Sequence, residues 1–203
     1  MHIGAGTGYY TAILAKLAGP TSAVEAYEIE ADLAERARQN LADQRNVTVH
    51  LRNASEGPLP QADVIYINAG ATTPLDTWLD ALRPNGRLLF PLTPSDASGS
   101  APGAGAMLLV TRPQISATQV DPGTDAALTA PPTATGVFAA RFLSPAIFIS
   151  CVGARDDVTG GKLAEAFRRG DARNVRSLRR HTPPDSTAWV AGENWWLSTA
   201  PGP

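Results

Sequence analysis

Short apolar runs alternate with amphipathic stretches through the first ninety residues, the spacing of a β-α-β chain. Met1 to Ile3 is apolar and leads into a glycine-rich turn, after which Tyr9 to Leu17 has helical periodicity. Ala23 to Glu28 predicts a second strand, and Ala31 to Ala42 a second helix. Val47 to Leu51 alternates as a third strand should. Ala62 to Asn68 is apolar enough for a strand buried on both faces of a parallel sheet. Thr73 and Pro74 open a helix to Leu82, with proline at a tolerated early position. Arg83 to Arg87 predicts a tight turn, and Leu88 to Leu92 the fifth strand. The pattern is that of a doubly wound α/β sheet.

The second half is less regular. Residues 94–106 and 121–136 are rich in Ser, Ala, Gly and Pro and predict loops. Met107 to Thr111, Val137 to Phe142 and Ala146 to Val152 have strand character, enough to supply antiparallel strands six and seven. A helix is predicted near Lys162 to Arg169, stopped by Gly170, and Asp171 would cap another through Leu178. On that second helix Arg173, Arg176 and Arg180 would share a face, within a basic cluster of Arg168, Arg169, Arg179 and His181. Such a cluster is read as a solvated or acid-paired face rather than a nucleic-acid site. Trp189, Trp195 and Trp196 predict the packing side of a final hairpin. The expected division is a cofactor domain over 1–152 and a C-terminal helical and hairpin extension over 153–203, packed on the same domain.

The turn Gly4-Ala5-Gly6-Thr7-Gly8 carries the first candidate chemistry. Glycines allow a sharp turn and a close backbone approach to a ligand. The dinucleotide fingerprint G-x-G-x-x-G needs a small third residue and cradles a pyrophosphate on a helix N-terminus. Here that third position is Tyr9, which argues against NAD or FAD. A purely structural turn is the competing reading. Glu28, at the end of the second strand, can accept hydrogen bonds from ribose hydroxyls. Glu30 suits the N-terminus of the following helix instead. After the third strand, Asn53 offers both a donor and an acceptor.

The segments HIGAGTGYYTAILAKLAG, ADVIYINAGAT and LRPNGRLLFPL resemble the protein-L-isoaspartate O-methyltransferase family, over roughly residues 1–112. The resemblance implies a Rossmann-like class I methyltransferase sheet with a small C-terminal α+β extension. It implies S-adenosyl-L-methionine as cofactor and, as substrate, proteins or peptides bearing isoaspartyl residues, methylated on the free carboxylate in the cytoplasm. The implied cofactor residues are Gly4, Ala5, Gly6, Thr7, Gly8 and Tyr9 at the turn, with Glu28 at the ribose. Asn53 and Ala54 would lie at the adenine, where the family commonly has Asp and a small residue. Ile29 and Asn68 complete the set. The family's substrate-side hydroxyl residue precedes the glycine motif, so the resemblance names no catalytic residue in this sequence. It carries the expectation of a sheet truncated at its N-terminus, with a first strand of about three residues where five or six are typical. The alternatives are a methyltransferase of small molecules or RNA, and a non-catalytic cofactor-binding remnant or interaction domain.

Composition narrows the picture only slightly. The 203 residues carry 17 Lys and Arg against 19 Asp and Glu, a net charge of −2 that gives no general attraction to nucleic acid or anionic membrane. A single cysteine excludes an intramolecular disulfide, and Cys151 reads as a small buried apolar residue. No apolar run approaches the roughly 18 residues of a membrane span. His2, His50 and His181 are scattered, without metal-ligand spacing.

Overall fold

The computed structural model describes residues 1–95, 103–114 and 136–202. Its parallel half runs β1 (His2–Ile3), α1 (Tyr9–Ala18), β2 (Val24–Glu28), α2 (Ala31–Asn40), β3 (Val47–Leu51), β4 (Ala62–Ile67), α3 (Asp76–Asp80) and β5 (Leu82–Leu92). Its second half adds β6 (Gly105–Thr111), β7 (Val137–Ala146), α4 (Asp157–Arg168), β8 (Ser177–Arg180), β9 (Ala188–Ala191) and β10 (Trp195–Ser198). All ten strands form one sheet in the order β3-β2-β1-β4-β5-β6-β7-β8-β10-β9. Strands β3 to β5 in that order pair in parallel, and every pairing from β5 onward is antiparallel. The order reverses between β1 and β4, the topological switch point where open α/β sheets bind ligands at the strands' carboxyl ends.

β1 is the shortest central element. His2 pairs with Ala26 and Tyr66, and Ile3 with Tyr27 and Ile67. Both residues are buried, and the His2 ring stacks on Tyr66 while its Nδ1 lies 2.7 Å from Thr11 Oγ1 on α1. The core lies on the opposite side of β4 and β5. There Trp78 packs edge-on against Phe90 with Ile65, Ile67, Leu82 and Leu88, and Trp78 donates its indole N–H to the Ala54 carbonyl. An aromatic triad of Phe142, Phe167 and Trp189 seats α4 on β7 and β9.

Several sequence expectations change. The turn at 83–87 exists, but inside β5. Ala62 pairs with Leu82 and Val64 with Arg87, so three extra residues bulge out. Asn85 takes the left-handed conformation at φ 62°, and Arg112 on the β6 side accepts and donates across the bulge. The helix expected from Thr73 begins only at Asp76, because Pro74 holds its predecessor out of helical geometry. The run 146–152 is not a strand. It makes one isolated bridge, Ser150 to Gly70, and otherwise crosses the sheet's carboxyl edge. Strands six and seven are β6 and β7, which contain the expected runs Met107 to Thr111 and Val137 to Phe142 and extend beyond them.

The largest correction concerns 171–178. A single 3-10 turn, Ala172–Asn174, leads directly into strand β8. Ser177 to Arg179 pair with β7, and Ser177 to Arg180 with β10. Two neighbouring strands satisfy the backbone there, which outweighs a weak local helix preference. Arg173, Arg176 and Arg180 therefore share no helix face. Arg180 is buried and spans to α3, bonding Asp76 at 2.8 Å and Asp80 at 2.5 Å. The predicted hairpin is present as β9 and β10, with Trp189, Trp195 and Trp196 all buried. The loop expected at 121–136 lies, apart from Gly136, outside the described residues. Among the described residues no helix is long and apolar enough to cross a membrane.

Candidate functional site at the carboxyl edge of the sheet

Each candidate residue sits just beyond the carboxyl end of a parallel strand. The glycine turn follows β1, Glu28 ends β2, Asn53 and Ala54 follow β3, and Asn68 follows β4. The turn is built from backbone. The N–H groups of Gly4 and Ala5 both donate to the Tyr27 carbonyl, at 2.9 and 3.0 Å, and Gly8 donates to Ala5 at 3.0 Å. Gly4, Gly6 and Gly8 all have positive φ, at 79°, 56° and 92°. The three glycines face different surroundings. A Cβ on Gly8 would lie 2.8 Å from Leu41 Cδ1, and one on Gly4 would meet the Asn68 backbone at 3.5 Å. A Cβ on Gly6 would meet nothing within 4 Å. Packing thus requires Gly8, while Gly6 leaves its outer side open. Ala5 is buried, so only its backbone faces the turn's surroundings. The Thr7 carbonyl is held by Asn40 Nδ2 at 2.9 Å.

Glu28 is 6% exposed and its carboxylate is shared within the chain. Oε2 accepts the Gly6 N–H at 2.7 Å, and Oε1 accepts the N–H groups of Ile29 and Glu30 at 2.8 and 3.0 Å. A carboxylate has about four lone-pair sites, so the vacant one is on Oε2. Glu30 is the N-cap residue of α2, but its side chain makes no capping bond. Ile29 is 42% exposed beside the turn, and Tyr9 is 69% exposed at the start of α1.

Asn53 is engaged locally. Its Oδ1 accepts the Ser55 N–H at 3.0 Å and its Nδ2 donates to Glu56 Oε1 at 2.9 Å. One amide hydrogen and one lone pair remain. The Ala54 side chain is in the core. Asn68 donates its N–H to Ile3 at 2.8 Å, and its Oδ1 accepts the Tyr66 hydroxyl at 3.2 Å. The structure therefore joins the turn to Glu28 by a direct hydrogen bond and places Gly4 beside the Asn68 backbone. Asn53 lies one strand further out, where Arg52 N–H bonds the Glu28 carbonyl at 2.9 Å.

Sequence reasoning missed residues 147–156 as part of this edge. The segment's Gly153 and Ala154 broke the strand pattern, which was the available signal. Ser55 Oγ donates to the Val152 carbonyl at 2.8 Å, and Gly153, at φ 84°, has no room for a Cβ against Ser55. Burial pushes the neighbouring Cys151 thiol up from its ordinary pKa. No group of three or more His, Cys, Asp or Glu among the described residues could hold a metal. One cleft beside α1 is lined by Tyr9, Ile13 and Asn46, and another, between α3 and α4 and away from the turn, by Asp76 and Trp195.

Residues 1–100 match the family model of protein-L-isoaspartate(D-aspartate) O-methyltransferase. The protein-L-isoaspartate O-methyltransferase of Methanothrix thermoacetophila is 35% identical over 96 residues, 45% of this chain and 46% of that protein. That of Brucella anthropi is 35% identical over 116 residues, 55% and 49% of the two chains. Each alignment spans about half the length of the curated relative. A solved protein-L-isoaspartate O-methyltransferase superimposes with a TM-score of 0.56 at 18% identity, over 82% of this chain and 44% of that one. A Plasmodium falciparum protein described as a protein-L-isoaspartate O-methyltransferase, in complex with S-adenosyl-L-homocysteine, gives 0.51 at 18% identity, over 75% and 64%. These likenesses establish a Rossmann-like methyltransferase fold. Through its first 100 residues, the chain is related by sequence to the protein-L-isoaspartate(D-aspartate) O-methyltransferase family.

Proposed function

We propose that this chain binds S-adenosylmethionine at the carboxyl edge of β1, β2 and β4, and serves methyl transfer to the carboxylate of isoaspartyl residues in proteins or peptides. The observation that carries the reading is the glycine turn bonded to the buried Glu28 carboxylate at the switch point. The residues present fit the cofactor. Gly6 leaves an open side on the turn, and Glu28 Oε2 keeps one acceptor site for a ribose hydroxyl. Three of the carboxylate's roughly four acceptor sites are already taken by Gly6, Ile29 and Glu30. The backbone of Gly4 to Gly8 would hold the amino-acid tail, Tyr9 and Ile29 the exposed apolar flanks, and Asn53 with Ala54 the adenine edge. Asn68 would close the side toward β4.

Held by these residues, the cofactor would supply a sulfonium methyl group for transfer to the acceptor carboxylate, leaving S-adenosylhomocysteine. A carboxylate is already nucleophilic at neutral pH, so the chain's contribution is alignment and exclusion of water. The family relationship supports the isoaspartyl acceptor, and a cytoplasmic location belongs to the same reading. The test is calorimetry with S-adenosylhomocysteine and NAD, followed by label transfer from S-adenosylmethionine to an isoaspartyl peptide and its aspartyl twin. Binding of NAD without S-adenosylhomocysteine would sink the cofactor reading. Equal labelling of both peptides would sink the substrate.

A further inference from the structure

Residues 147–156, between β7 and α4, form a strap over the carboxyl ends of β4 and β5. Gly70 donates to the Ile149 carbonyl at 2.7 Å and accepts from Cys151 at 2.9 Å. Thr72 donates to Ala154 at 2.9 Å, and its hydroxyl accepts the Asp156 N–H at 2.7 Å. On the other side the strap meets Ser55, next to Asn53 and Ala54. It thus touches the exits of β3, β4 and β5.

One guanidinium gathers these pieces. Arg155 Nη1 donates to the Gly70 carbonyl at 2.9 Å and to Thr93 Oγ1 at 3.0 Å. Its Nη2 donates to the Pro94 carbonyl at 3.0 Å and to Ser95 Oγ at 3.5 Å. A planar fork with five N–H donors can hold acceptors on separate segments at once, which a lysine ammonium on a flexible stem cannot reproduce. The Gly70 carbonyl is left with both lone pairs used, one by Arg155 and one by Cys151. Thr93 is seated so closely that a Cβ on Gly70 would lie 2.5 Å from its hydroxyl. Two residues before Gly70 is Asn68, the wall against which Gly4 packs.

We propose that Arg155 is a positioning residue for methyl transfer. It locks the strap and the exits of β4 and β5 into one wall beside the glycine turn, so that bound cofactor and acceptor carboxylate meet in a fixed alignment. This rests on the cofactor reading above, and it gives the chain beyond residue 100 a part in the site. Arg155 acts through Gly70 and Thr93, since its bonds all go to the chain itself. Misplacing reacting groups by about 1 Å can cost on the order of 10²-fold in rate, so alignment is where its loss would register.

The experiment compares the unaltered chain with Arg155→Lys and Thr93→Val by amide hydrogen exchange, with and without S-adenosylhomocysteine, and by methyl transfer to an isoaspartyl peptide. In the unaltered chain the ligand should slow exchange at the turn and also at Gly70, Thr72 and Cys151. In Arg155→Lys the turn should still respond, while those three amides exchange roughly tenfold faster, kcat falls by roughly tenfold or more, and KM for S-adenosylmethionine stays within about twofold. Thr93→Val should shift all three readings in the same direction by less. Unchanged protection in β2 and β4 shows that the variants are folded. Ligand coupling to Gly70, Thr72 and Cys151 that persists in Arg155→Lys overturns the inference alone. If the unaltered chain binds but transfers no methyl group, this coupling decides by itself. Failure of the unaltered chain to bind S-adenosylhomocysteine overturns the cofactor reading, and the inference with it.

Discussion

Gly6 donates its backbone N–H to Glu28 Oε2 at 2.7 Å, across 22 positions of sequence. This bond ties the turn after β1 to the end of β2. It also means that the carboxylate shapes the turn before any ligand arrives. The two roles separate experimentally. Glu28→Ala should weaken S-adenosylhomocysteine binding by about 1.5–3 kcal/mol, the scale of a hydrogen bond to a charged group. It should also lower unfolding stability, by roughly 1–3 kcal/mol, because three N–H groups lose their acceptor. Glu30→Ala should leave both quantities nearly unchanged. Calorimetry and urea titration check this, and equal effects from the two substitutions would show that the wrong carboxylate was chosen.

Gly6 and Gly8 should fail in different ways. Alanine at Gly8 must accept φ 92° and collide with Leu41, so it should destabilise the fold by about 2 kcal/mol or more. Alanine at Gly6 meets no protein atom and carries only the strain of φ 56°, about 1 kcal/mol. On the proposed cofactor reading, its methyl group would enter the space kept open for the cofactor. Gly6→Ala should therefore lose binding out of proportion to stability, and Gly8→Ala the reverse. Thermal melts beside calorimetry on both variants make the comparison.

His2 should make stability pH-dependent. Burial lowers its pKa from 6.5 to about 4, and its Nε2 has no partner among the described residues. The folded state thus keeps His2 neutral where the unfolded chain takes up a proton. Its contribution is complete above pH 6.5 and is lost as pH falls toward 4, by up to about 3 kcal/mol. Urea titrations at pH 7.5 and 4.5 should show the loss. His2→Leu should show a smaller one, and an identical pH slope in that variant would remove His2 from the account.

Arg180 should matter to folding and its neighbours should not. Its guanidinium is buried over Phe138 and joins β8 to Asp76 and Asp80 on α3. Arg180→Met should cost about 1–3 kcal/mol, moderated because both carboxylates are largely solvated. Arg173→Ala with Arg176→Ala should change stability by less than about 0.5 kcal/mol. Nucleic acid should bind weakly and without a steep salt dependence. Tight RNA binding abolished by neutralising Arg173 and Arg176 would reverse that expectation.

The order of elements from β1 to β5 was legible because each announces itself locally. β4 reads as an apolar run, β3 alternates, and the glycine turn has a distinctive spacing. Burial on both faces of β4 was not met, since Asp63 and Val64 are exposed and only Ile65 and Ile67 are buried. The candidate positions at Gly6, Glu28, Asn53 and Asn68 follow from that order, since each sits where a strand ends. Tertiary structure alone decided the rest. The segment from Asp171 reads as a helix, yet it makes a single 3-10 turn and then strand β8, Ser177–Arg180, because β7 and β10 stand on either side. Arg180 looked like one more surface cation until α3, a hundred positions away, supplied its carboxylates. The Glu28 carboxylate looked free for a ligand, and Gly6 occupies one of its oxygens. Arg155 carried no motif at all, and its role depends on four acceptors in two distant segments. Periodicity records what a residue does within its own turn or strand. Partners far along the chain are set by which strands neighbour one another, and that comes from burying the whole sheet at once.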